Sequence, residues 1–199
     1  FIDDFRVYKE SGGNFPAPSG LTAASGDSEV TLSWNDMNAS GTDDFVYHNG
    51  NFPEENAISM TAGTGWVGER FDVYGDVTVN SITIHSINTE AVTTTIGGFA
   101  PFGTLFNNEP AYSQEVTLQP GDNTFNVDWT FLNSFVLGHI ISETVSAGLD
   151  TGGPSTNSMV LTGTSWASWS EYVEGSTLMD GEWGVSANMT YTGAGVTYN

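Results

Sequence analysis

Residues 77–85, Val77-Thr78-Val79-Asn80-Ser81-Ile82-Thr83-Ile84-His85 (VTVNSITIH), decide the fold class. Val77, Val79, Ile82 and Ile84 are apolar, and Thr78, Asn80, Ser81, Thr83 and His85 are polar. That period of two belongs to a β-strand with one face packed and the other wet. The alternation slips by one at Asn80-Ser81, which marks a β-bulge.

The same pattern extends in both directions. Strands are expected at Glu29 to Trp34, Tyr112 to Leu118, Thr124 to Trp129, Ser134 to Ile141, Asn157 to Thr162 and Glu182 to Tyr191. Turn signals separate them: Gly12-Gly13, Pro18-Ser19-Gly20, Gly26-Asp27, Asn49-Gly50, Pro120 to Asn123, Gly152-Gly153-Pro154 and Asp180-Gly181. Helical periodicity is nearly absent. About a dozen short strands with this punctuation indicate an all-β chain, a two-sheet antiparallel β-sandwich of jelly-roll type.

Two stretches interrupt the pattern. Residues 11–19 (SGGNFPAPS) are rich in Gly and Pro, and proline cannot donate to a sheet ladder, so they read as a linker. Residues 35–44 (NDMNASGTDD) are polar and acidic and read as a second linker or long loop. The expected organisation is a strand and linker over 1–19, a short strand pair with an acidic loop over 20–44, and the sandwich over 45–199. The chain opens at Phe1 rather than Met, the pattern of a processed product or an excised piece.

Composition narrows the function classes. The chain has 24 Asp and Glu against three Lys and Arg (Arg6, Lys9 and Arg70), a formal net charge of −21. Such a surface repels nucleic acid and anionic lipid, because phosphate binding needs clustered cations. No stretch approaches the ~20 apolar residues that a membrane-spanning helix requires, so no membrane insertion is expected. Thirteen per cent of residues are aromatic, six of them Trp, which separates this chain from disordered acidic sequences. Cysteine is absent, and with it disulfides and thiolate chemistry. An acidic chain of this kind suits a saline or calcium-containing exterior. A secreted, cell-surface location is expected.

Three stretches carry a resemblance. Residues 17–34 (APSGLTAASGDSEVTLSW) resemble the first two strands of a fibronectin type III domain. Residues 45–50 (FVYHNG), 66–71 (WVGERF) and 180–185 (DGEWGV) resemble jelly-roll accessory domains, including the cleaved-adhesin domains, of large secreted proteins of Bacteroidetes and related bacteria. Residues 1–9 (FIDDFRVYK) look like the closing strand of a concanavalin-like or adhesin sandwich. The resemblance implies surface display, adhesion or glycan contact, often with structural calcium, and no chemistry of its own.

Catalytic signatures are missing: there is no G-x-S-x-G elbow, no H-E-x-x-H and no phosphate-binding glycine loop. His48, His85 and His139 lie in separate segments without metal-ligand spacing. No catalytic residue is assigned, and the chain is expected not to be an enzyme. For calcium, which needs six to eight oxygens, the candidate ligands are Asp36, Asp43 and Asp44, against the plainer reading of solvated charge. For a glycan, sugar faces stack on exposed rings, and Trp166, Trp169 and Tyr172 are the candidates. Read as a strand, this stretch puts Trp166 and Tyr172 on one face and Trp169 on the other, so that one Trp is core and one outward. The leading reading places both Trp in the core, because aromatic residues dominate sandwich cores.

Phe1, Ile2, Phe5 and Val7 need a partner sheet, and the linker that follows suits a strand donated to another copy or a neighbouring domain. Repeated head to tail, such a contact builds a filament. The leading expectation is therefore a non-catalytic adhesion or structural module, a self-assembling fibre subunit among its forms. The alternative is a carbohydrate-binding module serving a secreted hydrolase.

Overall fold

The computed structural model describes residues 22–25, 30–33, 40–73, 75–102, 105–151, 157–176 and 178–192. In chain order the strands begin with β1 (Thr22–Ser25), β2 (Val30–Ser33), β3 (Gly41–Val46), β4 (Thr64–Phe71), β5 (Asp76–Ser86) and β6 (Val92–Phe99). They continue with β7 (Pro101–Phe102), β8 (Leu105–Phe106), β9 (Tyr112–Leu118), β10 (Gly121–Leu132) and β11 (Phe135–Ser142). The last are β12 (Leu149–Asp150), β13 (Ser158–Thr162), β14 (Ser165–Ser168), β15 (Glu182–Trp183) and β16 (Val185–Thr192). One helix, α1 (Trp169–Val173), and one 3-10 turn at Glu54–Asn56 interrupt them.

Two antiparallel sheets make the sandwich. One has four strands in the order β10-β5-β16-β3, the other six in the order β14-β13-β4-β11-β6-β9. Among the described residues β1 and β2 pair with each other alone, where a short strand pair was expected upstream of the sandwich. The acidic segment expected as a loop contributes β3. It pairs with β16 from Gly41 and buries Phe45, so the sandwich begins before the boundary drawn at Phe45. Cross-strand pairing and one buried ring outweigh the low strand propensity of Asp43-Asp44.

The deciding stretch behaves as read. Val77, Val79, Ile82 and Ile84 of β5 are buried, and the register slips opposite Asn80 against both neighbours. The inner faces fill with Phe71, Phe135, Leu137 and Ile141 from one sheet and Phe131, Val185 and Met189 from the other. Phe131 and Phe135 stack across the sandwich with centroids 4.3 Å apart. Each such buried side chain contributes roughly 1.5–3 kcal/mol by area.

The outer faces differ. That of the four-stranded sheet carries a polar ladder: Thr42 to Thr190 and Thr83 to Thr124, each at 2.8 Å, and Asn80 Nδ2 donating to Asn188 Oδ1 at 2.9 Å. That of the six-stranded sheet is apolar, with Phe99, Val136, Met159 and Trp166 packed beside Trp66, Phe106 and Leu161. Across it Gly68, Gly138 and Gly97 stand in register on adjacent strands. The turn into β10 is closed by Asn123, whose Nδ2 donates to Gln119 O at 2.7 Å while its Oδ1 accepts from Gln119 N at 2.8 Å.

Candidate functional site

The predicted stacking residues separate. Trp166 is buried in the outer cluster, its Nε1 donating to Asn107 O at 3.0 Å. Trp169 is buried under α1, with Nε1 donating to Met179 O at 3.1 Å. Both Trp are core, and the strand parity expected for this stretch fails because residues 169–173 turn helical. On that turn Trp169 and Val173, four apart, face inward, and Tyr172 is left outside. Gly175, with φ of +74°, lets the chain leave the helix in the left-handed region.

Tyr172 is 51% exposed and stacks on Trp169 with centroids 5.5 Å apart at 27°. Leu178 and Met179 are also exposed, so three of the six exposed large hydrophobic residues among those described fall within this short stretch. Trp169 and the hydrogen bond to Met179 hold the patch from below. Its charged neighbours in sequence, Glu171, Glu174 and Asp180, are all acidic.

Two of the predicted metal ligands, Asp43 and Asp44, are among the described residues. Asp43 and Asp44 are successive residues of one strand and point to opposite sides. Asp43 Oδ2 accepts from the Tyr191 hydroxyl at 2.7 Å, and Asp44 Oδ1 accepts from Asn188 Nδ2 at 2.7 Å. The bond to Asp43 raises the Tyr191 phenol pKa. Asp36 lies outside the described residues, as do Phe1, Ile2, Phe5 and Val7. Among the described residues no group of three or more His, Asp or Glu is placed to hold a metal ion.

A second polar site went unread in the sequence. Glu69 of β4 occupies the inward parity between Val67 and Phe71 and is fully buried. Ser158 of β13 is its cross-strand partner, and the Ser158 hydroxyl lies against Glu69 Oε1 and 2.8 Å from Glu182 Oε2. The Trp183 backbone N–H donates to Glu69 Oε1 at 2.6 Å and to Ser158 Oγ at 3.0 Å. Burial, then the nearby Glu182 carboxyl, pushes the Glu69 pKa well above the usual carboxylate range. Glu69 Oε2 has no hydrogen-bond partner among the described residues. The signal was present in Val67-Gly68-Glu69-Arg70-Phe71, where a charge stands on the apolar phase of the alternation.

The three histidines, expected to be scattered, divide: His139 stands apart, whereas His48 and His85 meet at Phe52. His139 is buried in β11 opposite Val67 and Ile96, neither ring nitrogen has a hydrogen-bond partner among the described residues, and burial lowers its pKa to about 4. His85 Nδ1 meets Asp122 at 2.6 Å, and its ring stacks on Phe52 at 4.4 Å. His48 packs on the same Phe52 ring, and burial lowers its pKa.

Neither a protein-family model nor a curated protein matches the sequence. Among solved structures the fold is similar to the clostridial cysteine protease Cwp84 after propeptide cleavage, with TM-score 0.56 and 11% identity over 81% of this chain and 42% of that one. It is also similar to a structure of the cysteine protease and lectin-like domains of Cwp84, a surface layer associated protein of Clostridium difficile. There the TM-score is 0.51 and the identity 10%, over 81% of this chain and 38% of that one. This chain therefore spans less than half of either neighbour, and at such identity the likeness is one of fold.

Proposed function

We propose that this chain is a non-catalytic extracellular accessory module of a bacterial surface protein, making contact through the Tyr172 end of the sandwich. The carrying observation is the patch itself: an exposed ring seated on a buried Trp169–Trp183 pair, beside exposed Leu178 and Met179. Contact surfaces are enriched in such rigid aromatic anchors. The fold supports the reading, since a neighbour of the same architecture is described by a lectin-like domain and a surface layer. An all-β chain without cysteine fits a lectin-like domain better than a cysteine protease.

A glycan is the second reading. Tyr172 offers one stacking face, flanked in sequence by the carboxylates of Glu171 and Glu174, which can accept sugar hydroxyls. Binding to a glycan array or insoluble polysaccharide, compared between wild type and Tyr172→Ala, tests both readings. Retention lost in the variant supports glycan contact. Retention by neither, with intact cells still bound through Tyr172, supports a protein partner. Binding unaffected by the variant in every format removes the patch from the function.

Calcium and strand donation remain part of the proposal. A calcium site filled to 100 times its dissociation constant would add about 2.7 kcal/mol of stability. Equal melting in calcium and in chelator at matched ionic strength would leave charge screening alone.

A further inference from the structure

Tyr172 uses one face of its ring and leaves the other open. The inner face stacks on Trp169 at 5.5 Å, the residue is 51% exposed, and among the described residues it makes no other ring contact or hydrogen bond. Met179 joins the same platform, because its carbonyl accepts the Trp169 Nε1–H at 3.1 Å. The chain between them is fastened: Ser176 N donates to Val173 O at 2.9 Å, and Leu178 N donates to Ser176 Oγ at 3.0 Å. A ring backed by a second ring, with apolar side chains tied in beside it, is a preorganised surface. Glu171 and Glu174 flank Tyr172 in the chain, are both exposed, and have no ion-pair partner among the described residues.

Charge selects among the occupants of this surface. The chain carries −21 overall, so an acidic partner is repelled. The body of a second copy has no free cation to offer. Among the described residues Arg70 is the only Lys or Arg, and Asp72 holds its guanidinium at 2.5 Å. An uncharged apolar partner would cover Glu171 and Glu174 without giving them a countercharge. An arginine meets each demand: its planar guanidinium stacks on an aromatic face and forks onto carboxylates, and its methylene stem lies on apolar side chains. Lysine supplies the charge as a strongly hydrated point and stacks less well.

We propose that the Tyr172 patch, taken as the contact end of the module, binds an arginine of a basic protein partner. The guanidinium lies on the open face of Tyr172 within reach of Glu171 and Glu174, and its stem rests against Leu178 and Met179. The partner is thereby a cation-rich protein surface, drawn in by the field of the acidic chain and seated through one anchor. Arginine is enriched at protein interfaces together with tyrosine and methionine, the residue types that meet here. The acid rim then has a use: apolar contact alone gains nothing from Glu171 and Glu174, whereas a guanidinium gains charge-assisted hydrogen bonds.

A blocked peptide, Leu-Arg-Gly-Arg, and its citrulline counterpart, titrated into the whole chain, test this. Citrulline keeps the stem and the planar head but loses the charge. Wild type should bind the arginine peptide about tenfold more tightly, with the Met179 methyl signal shifting in NMR spectra. Tyr172→Ala should lose about tenfold in affinity, and Tyr172→Phe, which keeps the ring face, should stay within about twofold of wild type. Glu171→Gln combined with Glu174→Gln should lose about fivefold at low salt and less at high salt. The two peptides are compared on wild type alone, so that reading survives a variant that fails to fold. Equal affinity for both peptides leaves apolar contact only and overturns the inference. Arginine-peptide affinity unchanged in Tyr172→Ala also overturns it, assigning the binding to the general acidity of the chain. If neither peptide binds while intact cells are still held through Tyr172, the arginine site is overturned and the contact reading stands. If the peptide binds through Tyr172 while cells are held equally by wild type and Tyr172→Ala, the arginine site is supported and the contact reading is overturned.

Discussion

Trp169 and Trp183 pack with ring centroids 4.7 Å apart at 55°, joining the only helix among the described residues to the buried β15. Each indole N–H is spent on a main-chain carbonyl, Met179 O and Met159 O respectively. Neither ring is therefore available to a ligand, and both hold the surface above them in place.

This division of labour predicts unequal costs. Trp169→Ala removes a buried aromatic ring and should destabilise by about 3–5 kcal/mol. Tyr172→Ala, at a half-exposed position, should cost at most about 1 kcal/mol while removing the contact face. Urea midpoints with unchanged m-values would measure both. Equal costs would mean that Tyr172 is structural rather than a contact residue.

The glycine row predicts a second contrast. A methyl group added at Gly138 would lie 2.1 Å from Val67 O, and one at Gly68 would lie 2.4 Å from Leu137 O. Main chain cannot yield as a flexible side chain can, so Gly138→Ala should cost about 2 kcal/mol or more. At Gly97 the obstacle is the Trp66 ring, 2.8 Å away. There Trp66→Leu should partly rescue Gly97→Ala, and no such rescue should exist for Gly138→Ala. Thermal melting of the single and double variants checks the difference.

These contrasts show what the sequence made legible. β5 stood out because Val and Ile alternate with Thr, Asn and Ser, and β9 because Tyr112, Val116 and Leu118 share one parity. The run from Glu182 to Tyr191 reads as one strand but breaks at Gly184 into β15 and β16, and no residue pattern announces which sheet each half joins. β4 and β6 were missed because Gly68, Gly97 and Gly98 blunt the alternation, and the need for those glycines appears only once strands pair across them. At the patch, Trp166-Ala167-Ser168-Trp169 fits strand and helix equally over so short a window. Its outcome was set by Trp169 packing on Trp183, a long-range contact. The Glu69 site needed three segments to meet, β4, β13 and β15, and only the misplaced charge in β4 hinted at it.

Strand donation predicts a test on the N-terminal segment. Among the described residues the four-stranded sheet ends on one side at β3, which carries Asp43 and Asp44, while residues 1–9 contain Arg6 and Lys9. A strand added there would pair main chain with main chain and bring those opposite charges near. Deletion of residues 1–10 should abolish any polymers seen by negative-stain microscopy and leave the sandwich folded by circular dichroism. Unchanged mass and melting in the deleted chain would make the segment a remnant of a preceding unit.

The last prediction concerns His139, buried with neither ring nitrogen bonded among the described residues and with a pKa of about 4. In the unfolded chain the imidazole titrates near 6.5, so between those values the unfolded state binds the extra proton. Stability from the neutral ring is therefore complete above pH 6.5 and is lost as pH falls toward 4, by roughly 3 kcal/mol in all. The sign is opposite to that of Glu69, whose raised folded pKa makes stability fall as pH rises. Together they give a dome, with an acid limb from one core residue and an alkaline limb from another. His139→Leu replaces the ring with an apolar side chain beside Val67 and Ile96 and leaves no unpaired nitrogen buried. Its urea-unfolding free energy, followed from pH 7 to pH 4, should lose the acid limb relative to wild type and keep the alkaline one. An acid limb as steep in the variant as in wild type would assign it to the carboxylates instead.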